Sequence, residues 1–374
     1  MSAAAAAQAS AVGLPVAELE TPALVIEIDR LQRNLSRAAE YAAAHGLDLY
    51  PHSKTHKTRE IAELQLAAGA AGLTTAKSTE AEIFASALGA PLVLHYPVVG
   101  PEKVARVAEV AGRVPLTIAL DSVEAAEPIA EALRARGTEA QALIELDVGL
   151  ARTGLDPEQA LELGRAIGGF GGGLRLAGLS CYPGHLRHDE QVVEAGIREV
   201  DSTLERARGM FEEAGLDCGR ISGGSTATLF HSHETPMSEI RPGNYALLDR
   251  QEARGEFELA DCALHVHTTV VSNAVPGRFI VDAGAKTLSE AGPPPGAGGH
   301  AEVVGRDGLE IELLSEEHGH GVVGADARPP AVGERLELIP NHACTCVNLH
   351  DLLYAARDGL VEAELPVIAR GAVR

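Results

Sequence analysis

Within "PHSKTHK", residues 51 to 57, stand His52, Lys54, His56 and Lys57, two imidazoles and two amines in six positions directly after a short apolar run. An amine that is partly desolvated and has cationic neighbours gives up its proton more readily, and its neutral form attacks carbonyls. A lysine so placed is a candidate covalent anchor, whereas one in an ordinary basic turn is merely solvated. A second stretch, "SGGSTAT" (222 to 228), has a different use. Adjacent glycines admit close approach of the backbone, and successive N–H groups with the hydroxyls of Ser225 and Thr226 suit a phosphate dianion. The third, "IPNHACTCVNLHD" (339 to 351), carries His342 and Cys344. Two apart on an extended segment, they are expected to share a side and ligate one borderline or soft ion, for which zinc fits best. Two protein ligands leave positions for water or substrate, as a catalytic ion requires. Cys346 keeps the same parity and is either a spare ligand or a buried bystander.

The elements that must hold these residues are legible as a repeat. Near-continuous apolar runs at 23–28, 47–51, 72–76, 92–98, 116–121, 142–149, 176–184 and 220–224 alternate with Ala/Glu/Arg-rich segments of helical spacing. Runs without polar alternation indicate strands buried on both faces, as in parallel sheets. Eight such units predict an α/β fold, a (β/α)8 TIM-type barrel. After Thr58, a predicted N-cap, "REIAELQLAAGA" should place Ile61, Leu64 and Ala68 on one helix face and stop at Gly69. From about residue 260 the period changes to two, in "ALHVHTTVVSNAVPGRFIVDAG", so a C-terminal antiparallel β domain is predicted, with "AGPPPGAGG" (291 to 299) as a loop. The expected domains are a barrel over 20–255, a β domain over 256–374 and a flexible tail over 1–19.

In such a barrel, chemistry sits at the C-terminal ends of the strands. The residues there are polar: His52, Lys54 and His56, then Tyr96, Asp121, Asp147 with Arg152, Tyr182, His185 and His188, and finally the Gly/Ser turn. A reactive lysine on one strand and a phosphate cradle on another together suggest pyridoxal 5′-phosphate, whose aldehyde and phosphate need those two partners.

Composition narrows the partners. The formal net charge is −22, no stretch gathers Lys and Arg on a face, and nucleic acid is not expected. Five cysteines, an odd and small number, suit a reducing compartment. The Ala-rich start lacks the basic region of a signal peptide, and charges or prolines interrupt every apolar run before it reaches membrane-spanning length. A cytoplasmic protein without membrane contact is expected.

At these motifs the sequence resembles the D-serine dehydratase and D-threonine aldolase family of fold-type III pyridoxal-phosphate enzymes, which have an alanine-racemase-like barrel. The resemblance runs from about residue 20 onward. "PHSKTHK" resembles the cofactor-lysine motif, "SGGSTAT" the phosphate loop, "RPGNYALLD" the end of the barrel, and "SEEHG" with "PNHACTCVNLHD" the metal-bearing domain. It implies that Lys54 holds the cofactor, that Gly224, Ser225, Thr226 and Tyr245 hold its phosphate end with Tyr182 beside it, and that His342 and Cys344 bind the metal. It also implies a homodimer. Aldolases of the group typically carry His-x-Asp and favour manganese, whereas dehydratases carry His-x-Cys and zinc, so Cys344 favours a dehydratase. The family usually has arginine where Tyr50 stands, and Cys346 is additional.

The expected reaction is therefore elimination of water from a small D-amino acid with a β-hydroxyl, D-serine giving pyruvate and ammonia. Lys54 would be the base at Cα and zinc the Lewis acid on the hydroxyl. The alternative is retro-aldol cleavage of D-threonine or 3-hydroxy-D-aspartate, for which His188 would be the base. Racemisation ranks third, with Tyr354 as the one tyrosine after residue 245 available as a second acid/base.

Overall fold

The computed structural model describes residues 10–187 and 190–374. Its first strand, β1 (Ala23–Glu27), is apolar up to its last residue and was expected to open the barrel. It lies instead in the second sheet, antiparallel to the strand over 264–272 and parallel to that over 352–357. A run buried on both faces needs a neighbour on each side, and a mixed sheet supplies that as well as a barrel does.

Eight parallel strands follow: β2 (Asp48–Leu49), β3 (Leu73–Thr75), β4 (Leu92–Leu94), β5 (Leu116–Leu120), β6 (Ala140–Leu146), β7 (Leu174–Cys181), β8 (Arg220–Gly223) and β9 (Glu239–Ile240). Their order is β2-β9-β8-β7-β6-β5-β4-β3, and a parallel bridge from His52 to Thr74 closes the row on itself. The expected eight-stranded parallel barrel is present, with β9 as the member that replaces β1. Helices α1 (Ile28–Ala44), α2 (Arg59–Ala67), α3 (Ser78–Leu88), α4 (Pro101–Ala111), α5 (Val123–Arg136), α6 (Pro157–Gly169) and α7 (Glu190–Glu213) alternate with the strands. In α2 the buried residues are Ile61, Ala62 and Gln65, while Leu64 is exposed, a rotation of the predicted face. The barrel wall is apolar: Leu94, Ile118 and Ile144 are fully buried, each contributing roughly 1.5–3 kcal/mol. Its N-terminal end is tied by Arg220, which donates to Glu239 (2.6 Å) and Thr117 (2.9 Å) and meets Gln141.

The second unit comprises the segment up to Arg33, Ala246–Ala253 and Glu258–Arg370. Thus the two units are interleaved along the chain. Strands β10 (Leu264–Ser272), β11 (Arg278–Val281), β12 (Ala301–Val303), β13 (Leu309–Leu314), β14 (Gly319–Val323), β15 (Arg335–Pro340), β16 (Leu352–Arg357) and β17 (Leu360–Pro366) form an otherwise antiparallel sheet around β1, and the short helices α8 (Ala285–Leu288) and α9 (Ala343–Val347) belong to the same unit. Residues 291–299 form no regular element, as expected. Residues 10–19 are not the expected tail: Ala11, Val16 and Leu19 pack with Val25, Ala356 and Val361, and Gly13 N–H donates to the Val361 carbonyl at 2.8 Å. Alanine-rich composition hid three apolar side chains at the spacing needed to cover that edge. Among the described residues no helix is long and apolar enough to cross a membrane.

Candidate active site and metal centre

The loop after β2 is clamped from both sides. His52 N–H donates to the Pro242 carbonyl (2.9 Å), Ser53 N–H to the Thr74 carbonyl (2.8 Å) and Lys57 N–H to the Ser53 carbonyl (2.8 Å). Gly243 permits the approach, since a Cβ there would lie 3.1 Å from both His52 Cβ and Thr55 Oγ1. Lys54 alone of this loop's central residues is half-buried, with Nζ 5.7 Å from the centroid of the Tyr182 ring. The Arg152 guanidinium carbon stands 4.7 Å from the same centroid. Tyr182 therefore links Lys54 to Arg152. The cationic crowding expected around Lys54 is corrected, because both imidazoles are buried and neutral. Burial pushes His52 well below its usual value, with the Lys54 ammonium adding, and burial pushes His56 down to about 4 against the opposing bonds of Gln65 and Thr58.

Beyond that loop, the strand ends carry a polar cluster in which Arg241 was, with Arg152, a sequence candidate for pairing a carboxylate, whereas His95 and Glu145 were missed. His95, after β4, meets the Glu145 carboxylate of β6 at 2.8 Å. Burial works to raise the Glu145 pKa, but His95 and Arg241 outweigh it and hold the carboxyl below its usual range. Arg241, after β9, is buried and donates to the Cys181 carbonyl (2.8 Å) and to Ser222 Oγ. Position after a strand was the available signal for His95; nothing local marked Glu145 inside an apolar strand.

The Gly/Ser turn is pre-shaped. Ser225 N–H donates to Thr228 Oγ1 (3.0 Å), Thr228 N–H to Ser225 Oγ (3.2 Å), and Gly224 takes φ +80°, a conformation suited to glycine. Thr226 Oγ1 accepts from Tyr245 N–H at 3.1 Å, which leaves its own proton to donate. Among the described residues, the N–H groups of Thr226 and Ala227 find no acceptor. Unspent donors on a tight turn fit a phosphate end. Tyr245 contributes through its backbone; its side chain is buried and its hydroxyl accepts from Gln65 Nε2 at 3.3 Å. His188 lies outside the described residues.

In the second unit, the candidate metal pair sits at a helix start and not on the expected extended segment: His342 is the N-cap of α9, whose residues follow as Ala343–Val347, with Cys344 in its first turn. The first turn of a helix also turns these two side chains toward each other. His342 Nδ1 lies 3.1 Å from Asp249 Oδ2, and Asp249, fully buried, also accepts from Ala343 N–H (2.7 Å), Gln251 N–H (3.0 Å) and Glu252 N–H (3.0 Å). Burial disfavours the imidazolium, yet Cys344 and Asp249 outweigh it and raise the His342 pKa to about 11. Surroundings that stabilise positive charge so strongly fit a cation, and His342 Nδ1, which faces the carboxylate, is buried among the described residues without a well-formed hydrogen bond. Among the described residues no group of three or more His, Cys, Asp or Glu is assembled as a metal cluster. Cys346 is buried and donates to the Thr287 carbonyl at 3.1 Å, so it is a core residue. Asp249 is the other residue of the candidate site that the sequence reading missed.

Comparisons with known proteins agree with this architecture. The model of the alanine racemase N-terminal domain matches residues 26–251, and a serine dehydratase domain model matches residues 263–356. The D-threonine aldolase of Arthrobacter sp. is 33% identical over 368 residues, covering 96% of this chain and 95% of its own. The D-threo-3-hydroxyaspartate dehydratase of Delftia sp. (strain HT23) is 34% identical over 350 residues, 87% and 91% of the two chains. A dehydratase of that name, solved as a cysteine-to-alanine mutant in the metal-free form, matches at TM-score 0.86 and 30% identity over 94% of this chain and 98% of that one. The D-threonine aldolase of Filomicrobium marinum matches at TM-score 0.90 and 31% identity, covering 98% of this chain and all 100% of that one. The barrel with its lysine loop and hydroxyl-rich turn is thus of the alanine-racemase-like class, whose cofactor is pyridoxal phosphate. The chain belongs to the family of D-threonine aldolase, 3-hydroxyaspartate aldolase and dehydratase, and D-serine dehydratase, and is a pyridoxal-phosphate-dependent lyase.

Proposed function

We propose that the protein eliminates water from β-hydroxy D-amino acids, giving a 2-oxo acid and ammonia, with zinc at His342 and Cys344. The observation that carries the reading is the thiol at position 344, in reach of His342 and in a place that stabilises positive charge. Thiolate selects zinc over harder ions such as manganese. Zinc, when bound, supplies a Lewis acid for a hydroxide that is otherwise a poor leaving group, as the roughly 15.7 pKa of water indicates. The metal-free cysteine mutant of a related dehydratase supports a cysteine at the metal of that enzyme.

Pyridoxal phosphate, when bound, supplies the electron sink for charge left at Cα. Gly224, Ser225 and Thr226 hold its phosphate end, and the Lys54 amine holds the aldehyde end and takes the Cα proton at Nζ. Arg152 pairs with the substrate's α-carboxylate. Arg241 is a poor candidate for that task because it is buried and already bonded to Ser222 and Cys181. Asp249 fixes the orientation of His342.

A second reading, retro-aldol cleavage, is favoured by the 33% identity to the Arthrobacter aldolase over 96% of this chain. The purified protein is incubated with D-serine, D-threonine and 3-hydroxy-D-aspartate after chelation and readdition of zinc or manganese, and 2-oxo acid and glycine are assayed separately. Zinc-restored 2-oxo acid without glycine is expected; glycine and aldehyde restored by manganese would replace the elimination reading with the aldol one.

A further inference from the structure

The chain has five lysines, and four of them, Lys54, Lys57, Lys77 and Lys103, follow β2, β3 and β4 at the C-terminal ends of the barrel strands. The fifth, Lys286, is exposed and paired with Glu317. Two of the four occupy unfavourable places: Lys77 is the N-cap residue of α3 and Lys103 lies in the first turn of α4. A helix N-terminus carries partial positive charge and attracts anions, so a cation there is opposed by the backbone. Among the described residues, neither lysine nor Arg152 forms an ion pair with a carboxylate, although the chain has 53 Asp and Glu against 31 Lys and Arg. Cations set against local electrostatics and left unneutralised in an acidic protein have no structural purpose in view, and departures of this kind mark function.

Aromatic rings take the place of carboxylates. Lys77 Nζ lies 3.4 Å from the centroid of the Tyr96 ring, and Tyr96 is 44% exposed. Lys77 first, then Lys103 and Arg152, hold the Tyr96 phenol below its usual value, so the fields of three cations meet on one exposed hydroxyl. Arg152 in turn shares the Tyr182 ring with Lys54. Lys54 and Arg152 about one ring, and Lys77 with its neighbour Lys103 about another, thus make up a cationic rim on segments that all follow the C-terminal ends of barrel strands.

We infer that this rim binds a second carboxylate, on the β-carbon of the substrate, with Lys77 as the specificity-determining residue and Lys103 and Tyr96 beside it. The inference rests on the reading of the chain as a lyase of β-hydroxy D-amino acids, and it narrows that class to dicarboxylic members. D-Serine has only hydrogen at the corresponding position and D-threonine a methyl group, neither of which uses an unneutralised ammonium.

The test is equilibrium binding to the cofactor-loaded enzyme by calorimetry, with D-aspartate and D-alanine as probes; neither carries a β-hydroxyl to eliminate or cleave. D-Aspartate should bind roughly tenfold more tightly or better, as a charge-assisted bond predicts, and the preference should shrink as salt is added. Lys77→Met should collapse the ratio, Lys77→Arg should retain it, and the remote Lys286→Met should leave it unchanged. Equal affinities in the unaltered enzyme, or a preference that survives in Lys77→Met, would overturn the inference. Failure of the lyase reading is seen separately, as absence of both 2-oxo acid and glycine in the product assay, while the binding ratio continues to report on the rim.

Discussion

Asp249→Asn separates the metal-orienting role of the carboxylate from its structural one. The carboxylate takes four contacts: Gln251 and Glu252 N–H on Oδ1, both at 3.0 Å, and Ala343 N–H at 2.7 Å with His342 Nδ1 at 3.1 Å on Oδ2. Asparagine keeps one acceptor oxygen, which can stay with the first two, and puts an NH2 against the second two. The stranded buried N–H of Ala343 should cost about 1–3 kcal/mol of stability. Loss of the partner that orients His342 should weaken zinc roughly 10–100-fold, as such outer partners generally do, equivalent to about 1.4–2.8 kcal/mol. Zinc affinity is read by competition against a fluorescent chelator, and stability by thermal unfolding of the same samples. A variant that is destabilised yet binds zinc as tightly as the unaltered protein, while His342→Ala does not, would show that Asp249 only caps α9 and would refute the metal-orienting role.

Four further outcomes are expected. Between pH 4 and 6.5 stability should rise with pH, because His56, held down to about 4 by burial, stays unprotonated in the folded chain while the unfolded chain takes up a proton near 6.5. The contribution is about 3 kcal/mol across that window, His52 and His95 add in the same direction, and denaturant unfolding at several pH values should show His56→Gln with a flatter profile. Cys344→Asp should shift the metal preference from zinc toward manganese by roughly tenfold, measured by metal competition. Gly178→Ala should cost roughly 4 kcal/mol or more, because a Cβ at φ +146° would lie 1.8 Å from the Arg220 carbonyl oxygen of the neighbouring strand; an unchanged melting temperature would contradict this. Lys54→Ala should lose covalently held cofactor, seen as disappearance of the borohydride-fixed label from the peptide containing residue 54.

The fold was legible wherever burial left a long apolar run. β5, β6 and β7, five to eight residues each, are such runs. β9 is two residues, Glu239 and Ile240, one of them a buried carboxylate bonded to Arg220, and no hydropathy pattern marks it. β1 misled for the complementary reason: continuous burial says that a strand has neighbours and cover, not which sheet provides them. The count of eight came out right because one strand assigned to the barrel and one strand unread in it compensate.

For the site, the sequence showed which groups can react but not the state in which folding holds them. His52 and His56 looked like cations because they stand among lysines, yet burial makes the neutral imidazole the cheaper form, and charge density along the chain is then a poor guide to charge density in space. The same separation hid Asp249 and Glu145, whose partners lie 93 and 50 positions away in the chain, at His342 and His95. It also hid the cationic rim, since Lys77, Lys103 and Arg152 are scattered singly through the sequence. A parallel barrel delivers the ends of all its strands to one mouth, so residues that carry no local signal acquire a common field only when the sheet closes. The chemistry-bearing motifs can therefore be read from spacing, whereas the residues that tune and select, which act at a distance along the chain, have to be read from the closed fold.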